Sequence, residues 1–296
     1  MNLLITGAFN VNEEQILEFE AHGYKVIFMQ NEKDELPCEY SWPEVIICNG
    51  LFLTHNIDKF ISLKIIQTTS AGLDRIPMEY CETHCIKVYN ARGVYSVPMA
   101  EFAISGILDI YKHKKEFFIQ QNNHQWEKHR DLLELTNKNV LILGCGSVGQ
   151  AVAKRLKVFD CNLYGIDNSK TNNDLFNTYS LTKLNDLLPS MDIVIVCLPL
   201  SRDTYHLFDK DVFACMKDRS ILVNISRGAL VDTLSLLDAL NNKLLGAVID
   251  VFEEEPLGED SPLWIMSNIV ITPHNSFVGE YNNERLFNLF IENLFI

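Results

Sequence analysis

The chain has 296 residues, of which 47% are hydrophobic and 22% are charged, and its 39 acidic and 25 basic residues give a formal charge of −14. This length accommodates about two ordinary domains, and the composition is typical of folded globular proteins, which excludes a disordered chain or a coiled coil. The acidic balance repels phosphate backbones, so we expect no nucleic-acid partner. Chemistry on a small molecule is the function class that remains.

The apolar runs are too short to cross a membrane. Residues 193–198 form one of the longest, and it has the length of a strand, far below the roughly 20 residues that a bilayer requires. Residues 1–5 lack the basic start of an export signal and instead predict a first β-strand. The eight cysteines are scattered without a disulfide framework. We therefore expect a cytoplasmic protein with free thiols and no membrane partner.

Strand-like and helix-like patterns alternate in the first hundred residues. The patterns predict strands over residues 3–5, 25–29, 45–48 and 64–67 and a helix over residues 13–22. This alternation is typical of a parallel sheet covered by helices on both faces. One small α/β unit is expected over residues 1–97.

A second and more regular α/β series follows. A helix is predicted after Pro98, a residue suited to a first helical turn, and it is expected to link two domains. Six strands are then predicted, over residues 139–143, 163–166, 193–198, 221–224, 246–250 and 269–271. Six is the strand number of a doubly wound nucleotide-binding sheet. A closing helix over residues 280–296 has Leu286, Phe287, Phe290 and Leu294 on one face.

A glycine-rich loop directly follows the predicted strand over residues 139–143. Gly144 can make a tight turn, Gly146 lets backbone amides approach a pyrophosphate, and Gly149 permits close packing of the next helix on the strand. Ser147 and Val148 complete this dinucleotide-binding loop. The alternative is a glycine turn that merely joins strand and helix, with Cys145 as a small tolerated side chain.

Asp167 follows the next predicted strand, about 20 residues beyond the loop, where a carboxylate can accept hydrogen bonds from the hydroxyls of an adenosine ribose. A carboxylate there repels the 2′-phosphate of NADP. We therefore expect NAD as the cofactor and regard NADP as the less favoured one. Lys170, three residues further on, can offset part of that repulsion.

Three polar residues stand where predicted strands end, namely Arg227, Glu255 and His274. Ligands bind parallel sheets outside the carboxyl ends of the strands, so these side chains are expected to converge. An arginine can hold a carboxylate through two parallel charge-assisted hydrogen bonds, a histidine can exchange a proton near neutral pH, and a glutamate can orient that histidine. Together they can bind and reduce a 2-oxo acid.

An ordered series of motifs over nearly the whole chain resembles the D-isomer-specific 2-hydroxyacid dehydrogenases. The motifs are the glycine loop and residues 69–74, 90–101, 197–200 with Thr204, 224–232, 250–256 and 272–274. The resemblance implies two parallel-sheet α/β domains, Rossmann-like or flavodoxin-like. A doubly wound NAD-binding domain over residues 98–277 is inserted in a smaller substrate domain made of residues 1–97 and 278–296, and the active site is expected in the cleft between them.

The resemblance also implies a role for each matching residue. Arg227 would grip the substrate carboxylate, and His274 would be the acid/base paired with Glu255, the glutamate directly before a proline. Glu253 and Glu254 are interpreted as a solvated face. Asp250 would lie near the nicotinamide carboxamide. The other implied contacts are cofactor contacts at Leu198, Pro199, Thr204, Ile225 and Ser226, and substrate contacts through the backbone amides of Ser70, Ala71 and Gly72.

Other sequence features narrow the expected substrate class and the expected binding partners. Residues 48–54 are uncharged where phosphoglycerate-oxidising members carry arginines, which favours a small, non-phosphorylated 2-oxo or 2-hydroxy acid. Cys81, His84 and Cys85 provide only three close ligands, so no metal site is expected. The resemblance further implies a homodimer. Two alternatives stay open: an NAD(H)-sensing binding protein on the same scaffold, and a methyltransferase that holds S-adenosylmethionine in the glycine loop.

Overall fold

A computed structural model describes residues 1–167 and 176–295 of the chain. The strands are β1 (Asn2–Thr6), β2 (Lys25–Met29), β3 (Val45–Cys48), β4 (Ile65–Thr68), β5 (Lys87–Tyr89), β6 (Asn139–Leu143), β7 (Asn162–Ile166), β8 (Asn177–Tyr179), β9 (Ile193–Val196), β10 (Ile221–Asn224), β11 (Gly246–Ile249) and β12 (Ile269–Ile271). The α-helices are α1 (Glu13–Ala21), α2 (Met78–Thr83), α3 (Ser96–Tyr111), α4 (Lys114–Asn122), α5 (Ser147–Val158), α6 (Leu184–Leu187), α7 (Lys210–Cys215), α8 (Thr233–Asn242) and α9 (Asn282–Leu294).

The chain divides into two compact units. One contains Met1–Tyr95 and the segment from Gly279 onward, and the other is Ser96–Val278. The first unit has a five-stranded sheet in the order β2-β1-β3-β4-β5, and the second has a seven-stranded sheet in the order β12-β11-β10-β9-β6-β7-β8. All the pairings in both sheets are parallel. The predicted fold class, two parallel-sheet α/β domains, is confirmed.

The central strands are buried on both faces because almost all of their residues are apolar. In β3, β9, β10 and β11 every residue is buried. Alternate residues enter opposite cores, as the two-residue period of a strand requires. In β1, Leu3 and Ile5 pack with Phe290 of α9, whereas Leu4 packs with Ile46 on the other face. Burial on both faces fixes the central strands in their positions. Polar loops follow the carboxyl ends of these strands.

Sequence reasoning missed the two short edge strands β5 and β8. Each has three residues and none that is fully buried, so neither shows the apolar run that identified the central strands. The second sheet therefore has seven strands in the described residues rather than the predicted six.

The closing helix α9 begins at Asn282, two residues later than predicted, and buries Leu286, Phe290 and Leu294 as expected. All eight cysteines are free thiols. Among the residues described, none of the helices has the length and apolar character needed to span a bilayer.

Candidate active site

The glycine loop between β6 and α5 has the geometry that its sequence predicts. Gly144 adopts a left-handed conformation with φ of 94°, and a Cβ on Gly149 would lie 2.0 Å from the carbonyl oxygen of Gly144. Gly146 is the N-cap of α5, no side chain caps this helix, and its first turn contains no acidic residue. The first amides of α5, at Ser147 and Val148, therefore form an N-terminus that suits an anion.

Asp167 lies directly beside this loop. It follows β7, and its Oδ2 accepts a hydrogen bond of 2.8 Å from the backbone N–H of Cys145. Burial, with a smaller contribution from the Asp167 charge, raises the pKa of the Cys145 thiol to about 12. Cys145 is thus a neutral core side chain, and the carboxylate is the charged group at this edge of the loop. Lys170 lies outside the described residues.

His274 and Glu255 form a contact that sequence reasoning predicted. Nδ1 of His274 is 2.8 Å from Oε2 of Glu255, and Oε1 of Glu255 accepts a 3.0 Å hydrogen bond from the backbone N–H of Phe252. A carboxylate only accepts, so Nδ1 carries the proton of this bond. Nε2 is therefore the ring nitrogen that can exchange a proton with a ligand, and the side chain is accessible for this, since 41% of its surface is exposed.

Asp250 fixes the loop on which His274 stands. The backbone N–H of His274 donates to the Asp250 carbonyl over 2.8 Å. The carboxylate of Asp250 is fully buried and accepts from the Thr272 hydroxyl at 2.7 Å and from the backbone amides of Asn275 and Ser276 at 2.8 and 3.0 Å. Both carboxylate oxygens are engaged within the protein. The predicted contact of Asp250 with a nicotinamide stays a prediction.

Arg227 lies in the loop after β10, the strand next to β11. The Asn224 side chain holds this turn by accepting from the Ser226 amide at 3.1 Å and donating to the Arg227 carbonyl at 3.0 Å. The next residue, Gly228, lies against the loop that carries Glu255, because a Cβ there would be 1.8 Å from the carbonyl carbon of Phe252. The three predicted catalytic residues therefore follow three neighbouring strands, β10, β11 and β12.

The other predicted cofactor residues occupy the loops after β9 and β10. The Thr204 hydroxyl donates to the Pro199 carbonyl at 2.9 Å, and the Ser226 hydroxyl donates to the Leu198 carbonyl. Ile225 is buried in the core under α3 and α5. The structure brings these two loops together, while their contact with a cofactor stays a prediction.

In the first unit, the predicted substrate turn of Ser70, Ala71 and Gly72 follows β4. All three carbonyl oxygens accept hydrogen bonds, from Ala91 N at 2.9 Å, Asn90 Nδ2 at 2.9 Å and Ser70 Oγ at 2.8 Å respectively. The backbone amides are thus the polar groups of the turn that suit a ligand, and they suit an anion.

Glu253 is exposed, as the sequence interpretation has it, but it also makes specific contacts that the sequence did not reveal. Its Oε1 is 2.5 Å from Nε2 of His206, and its Oε2 accepts from the backbone N–H of Thr233 at 2.9 Å and from the Thr233 hydroxyl. Burial opposes ionisation here, but the hydrogen bonds from Thr233 and His206 outweigh it and lower the pKa of Glu253. The neighbouring Glu254 is exposed, as expected.

Glu253 therefore joins three loops of the site. One loop carries Thr204 and His206, the second leads into α8, and the third carries Glu255 itself. Sequence reasoning missed His206 because a single histidine two residues after Thr204 shows no periodicity or spacing that would reveal a partner 47 residues away.

A doubly wound parallel sheet, a glycine loop and an arginine, glutamate and histidine at neighbouring strand ends together describe a nucleotide-dependent oxidoreductase. Comparison with known proteins gives the family. Residues 104–276 match the model described as D-isomer specific 2-hydroxyacid dehydrogenase, NAD binding domain. The chain is 32% identical over 264 residues to a protein named glyoxylate reductase from Thermofilum pendens, covering 85% of this chain and 77% of the relative.

Solved structures agree. A D-isomer specific 2-hydroxyacid dehydrogenase family protein from Aeromonas salmonicida superposes with a TM-score of 0.82 at 29% identity, covering 99% of this chain and 94% of the other. D-lactate dehydrogenase from Aquifex aeolicus, complexed with NAD and lactic acid, gives 0.79 at 25% identity with coverages of 99% and 94%. The chain belongs to the D-isomer-specific 2-hydroxyacid dehydrogenase family and is an oxidoreductase acting on a CH–OH group.

The lowered pKa of Glu253 leads to a prediction about stability. Its folded pKa lies below the ordinary value of 4.5, so its contribution to the free energy of unfolding is complete above that pH and is lost as the pH falls through the folded pKa. We expect Glu253→Gln to be less stable than the parent chain at pH 6, and the difference to shrink as the pH falls from 6 to 3.

Urea unfolding at a series of pH values measures this. The matched control is Glu254→Gln, which removes the same charge from the adjacent exposed position and is expected to show a difference that does not depend on pH. A Glu253→Gln difference that stays constant with pH would contradict the assignment.

Proposed function

We propose that this enzyme uses NAD(H) to interconvert a small, non-phosphorylated 2-oxo acid and the corresponding D-2-hydroxy acid. The observation that carries the proposal is the 2.8 Å contact between Nδ1 of His274 and Oε2 of Glu255, on a loop packed against the residue after Arg227. A relative named glyoxylate reductase supports a small 2-oxo acid as the substrate class. The D configuration is carried over from the family.

The described residues fit a dinucleotide. A Cβ at Gly144 would lie 2.7 Å from the Cys197 carbonyl oxygen and one at Gly149 would lie 2.0 Å from that of Gly144, so the loop keeps its form only with glycine. The uncapped N-terminus of α5 would receive the pyrophosphate, and the carboxylate of Asp167 would accept the ribose hydroxyls. When bound, the reduced cofactor supplies the hydride that C2 of the 2-oxo acid receives.

The protein's own groups perform the rest of the reaction. Arg227 would hold the substrate carboxylate, a role for which a guanidinium provides two parallel donors. In the first unit, the backbone amides of Ser70, Ala71 and Gly72 are the groups proposed to contact the substrate. Protonated His274 would donate the proton on Nε2 to the carbonyl oxygen as that oxygen gains charge. Glu255 keeps the ring oriented and stabilises its charged form. Hydride and proton together account for the 2-hydroxy acid, and the reverse transfers oxidise it.

Location and assembly are also proposed. The eight free thiols support a reducing, cytoplasmic environment. Large apolar side chains exposed on and after α4 support a homodimer, since such a surface is typically covered by a partner; they are Phe118, Ile119, Trp126 and Leu132.

Substitution of the proposed catalytic residues tests the reaction. Arg227→Gln is expected to lower kcat/KM for glyoxylate with NADH by roughly 10²–10³-fold because the charge-assisted bonds to the carboxylate are lost. His274→Gln is expected to lower kcat by roughly 10²–10⁴-fold because the proton donor is lost. Oxidation of NADH, followed by absorbance, measures both.

The control is His84→Gln, which changes an exposed histidine of the first unit and is expected to leave turnover unchanged. If the parent chain binds NADH tightly but reduces no 2-oxo acid, the NAD(H)-sensing alternative replaces the proposal.

Asp167 generates a prediction about the cofactor. The parent chain is expected to prefer NADH over NADPH, because a 2′-phosphate would meet the carboxylate. Asp167→Ser removes that charge and is expected to raise kcat/KM for NADPH relative to NADH by about tenfold or more, as measured by parallel titrations of both cofactors. A parent chain that prefers NADPH would contradict the role of Asp167.

A further inference from the structure

A carboxylate already occupies an anion-binding position in the first unit. Glu32, in the loop after β2, reaches across β1 to the end of β3. Its Oε1 accepts from the backbone N–H of Asn49 at 2.7 Å and from the Thr6 hydroxyl at 2.7 Å, and its Oε2 accepts from the backbone N–H of Gly50 at 2.6 Å. Its own carbonyl accepts from the Thr54 hydroxyl at 2.9 Å, so the residue is held at both ends.

These amides lie next to the proposed substrate turn. β3 and β4 are paired neighbours with Cys48 opposite Thr68, and Thr69 donates its N–H to the Cys48 carbonyl over 2.9 Å. The two loops that follow, one with Asn49 and Gly50 and the other with Ser70, therefore start one strand spacing apart, about 4.8 Å. A substrate held at Ser70 by its carboxylate would therefore bring its C3 substituent near the Glu32 side chain.

Two consecutive backbone amides at a strand end form a concavity that suits an anion. In this chain the donors are already used by the chain's own carboxylate, which also adds a negative charge. Residues 48–54 contain no basic side chain to offset that charge. Arg75 is a positively charged residue close to these amides; it is exposed, and its Cδ lies 3.8 Å from where a Cβ on Gly50 would stand.

We propose that Glu32 is a specificity determinant that excludes 2-oxo acids with an anionic substituent at C3 and thereby selects those with hydrogen, hydroxyl or alkyl groups there. The inference rests on the proposed function and names its substrate class. Glu32 would exclude such an anion in two ways. It occupies the amide donors that the anion would need, and its charge repels the anion.

Two pairs of substrates that differ by one charged group test the proposal. Oxaloacetate is pyruvate with an added carboxylate, and phosphohydroxypyruvate is hydroxypyruvate with an added phosphate. The measured quantity is the kcat/KM of the anionic acid divided by the kcat/KM of its neutral partner. Any loss of folded protein in a variant cancels in this ratio. We expect the parent chain to use each anionic member at no more than about one tenth of the efficiency of its neutral partner.

Glu32→Gln removes the charge, and Glu32→Ala in addition leaves both amides to the ligand. Each is expected to raise the ratio by about tenfold or more, with the alanine variant higher. Glu35→Gln removes the same charge from an exposed position three residues along and is the matched control, with an unchanged ratio. Arg75→Gln is expected to lower the ratio, because a cation near the amides favours an anion.

Three results would overturn the inference: equal efficiency of the parent chain within both pairs, ratios in both Glu32 variants within twofold of the parent, or an equal rise in Glu35→Gln. In each of these cases the neutral 2-oxo acids are still reduced and the proposed function stands. Failure of the proposed function gives a different result, namely no reduction of any of the four acids or of glyoxylate by the parent chain.

Discussion

The buried carboxylate of Asp250 is the constraint on which the active-site geometry depends. It directly follows β11, accepts three hydrogen bonds from the segment after β12, and so ties together the loops that carry Glu255 and His274. A buried carboxylate is tolerated only when its oxygens are satisfied, so the loop that satisfies them is held in one conformation. His274 accordingly sits at a φ of 52°, in the left-handed region, with its N–H bonded to the Asp250 carbonyl.

The apolar strands and the motifs at their ends were predictable from the sequence because each signal is local. Continuous apolar runs identified the central strands, and the glycine spacing identified the loop before α5. The pairing of Glu255 with His274 followed from the rule that strand ends meet at one edge of a parallel sheet, together with the family resemblance.

The parts that sequence reasoning missed depend on contacts between distant residues. Glu253 looks like one of three surface glutamates until the fold brings His206 and Thr233 to it. Two of the three donors on Asp250 and the amides beneath Glu32 are likewise backbone groups, which no residue type reveals. The edge strands β5 and β8 escaped because three half-exposed residues carry little periodicity.

Two carboxylates, those of Asp167 and Glu32, have the same proposed effect on an approaching anion. Asp167 stands at the glycine loop and Glu32 stands beside the proposed substrate turn. In the proposed function these are the places that a 2′-phosphate of the cofactor and an anionic group of the substrate would approach. Each is held by backbone amides, Cys145 for the first and Asn49 with Gly50 for the second, and is therefore fixed in place. In the proposed account both exclude an additional anion, one from the cofactor and one from the substrate.

Isotope transfer shows whether the hydride passes directly from the cofactor to C2 of the 2-oxo acid. The purified chain is incubated with glyoxylate and NADH that carries deuterium on both C4 positions, and the product is analysed by nuclear magnetic resonance and mass spectrometry. Direct transfer predicts glycolate with one deuterium at C2. In the converse experiment, with unlabelled NADH in deuterated water, it predicts that C2 of glycolate acquires no deuterium. Glycolate without deuterium from the cofactor, or no glycolate at all, would contradict it.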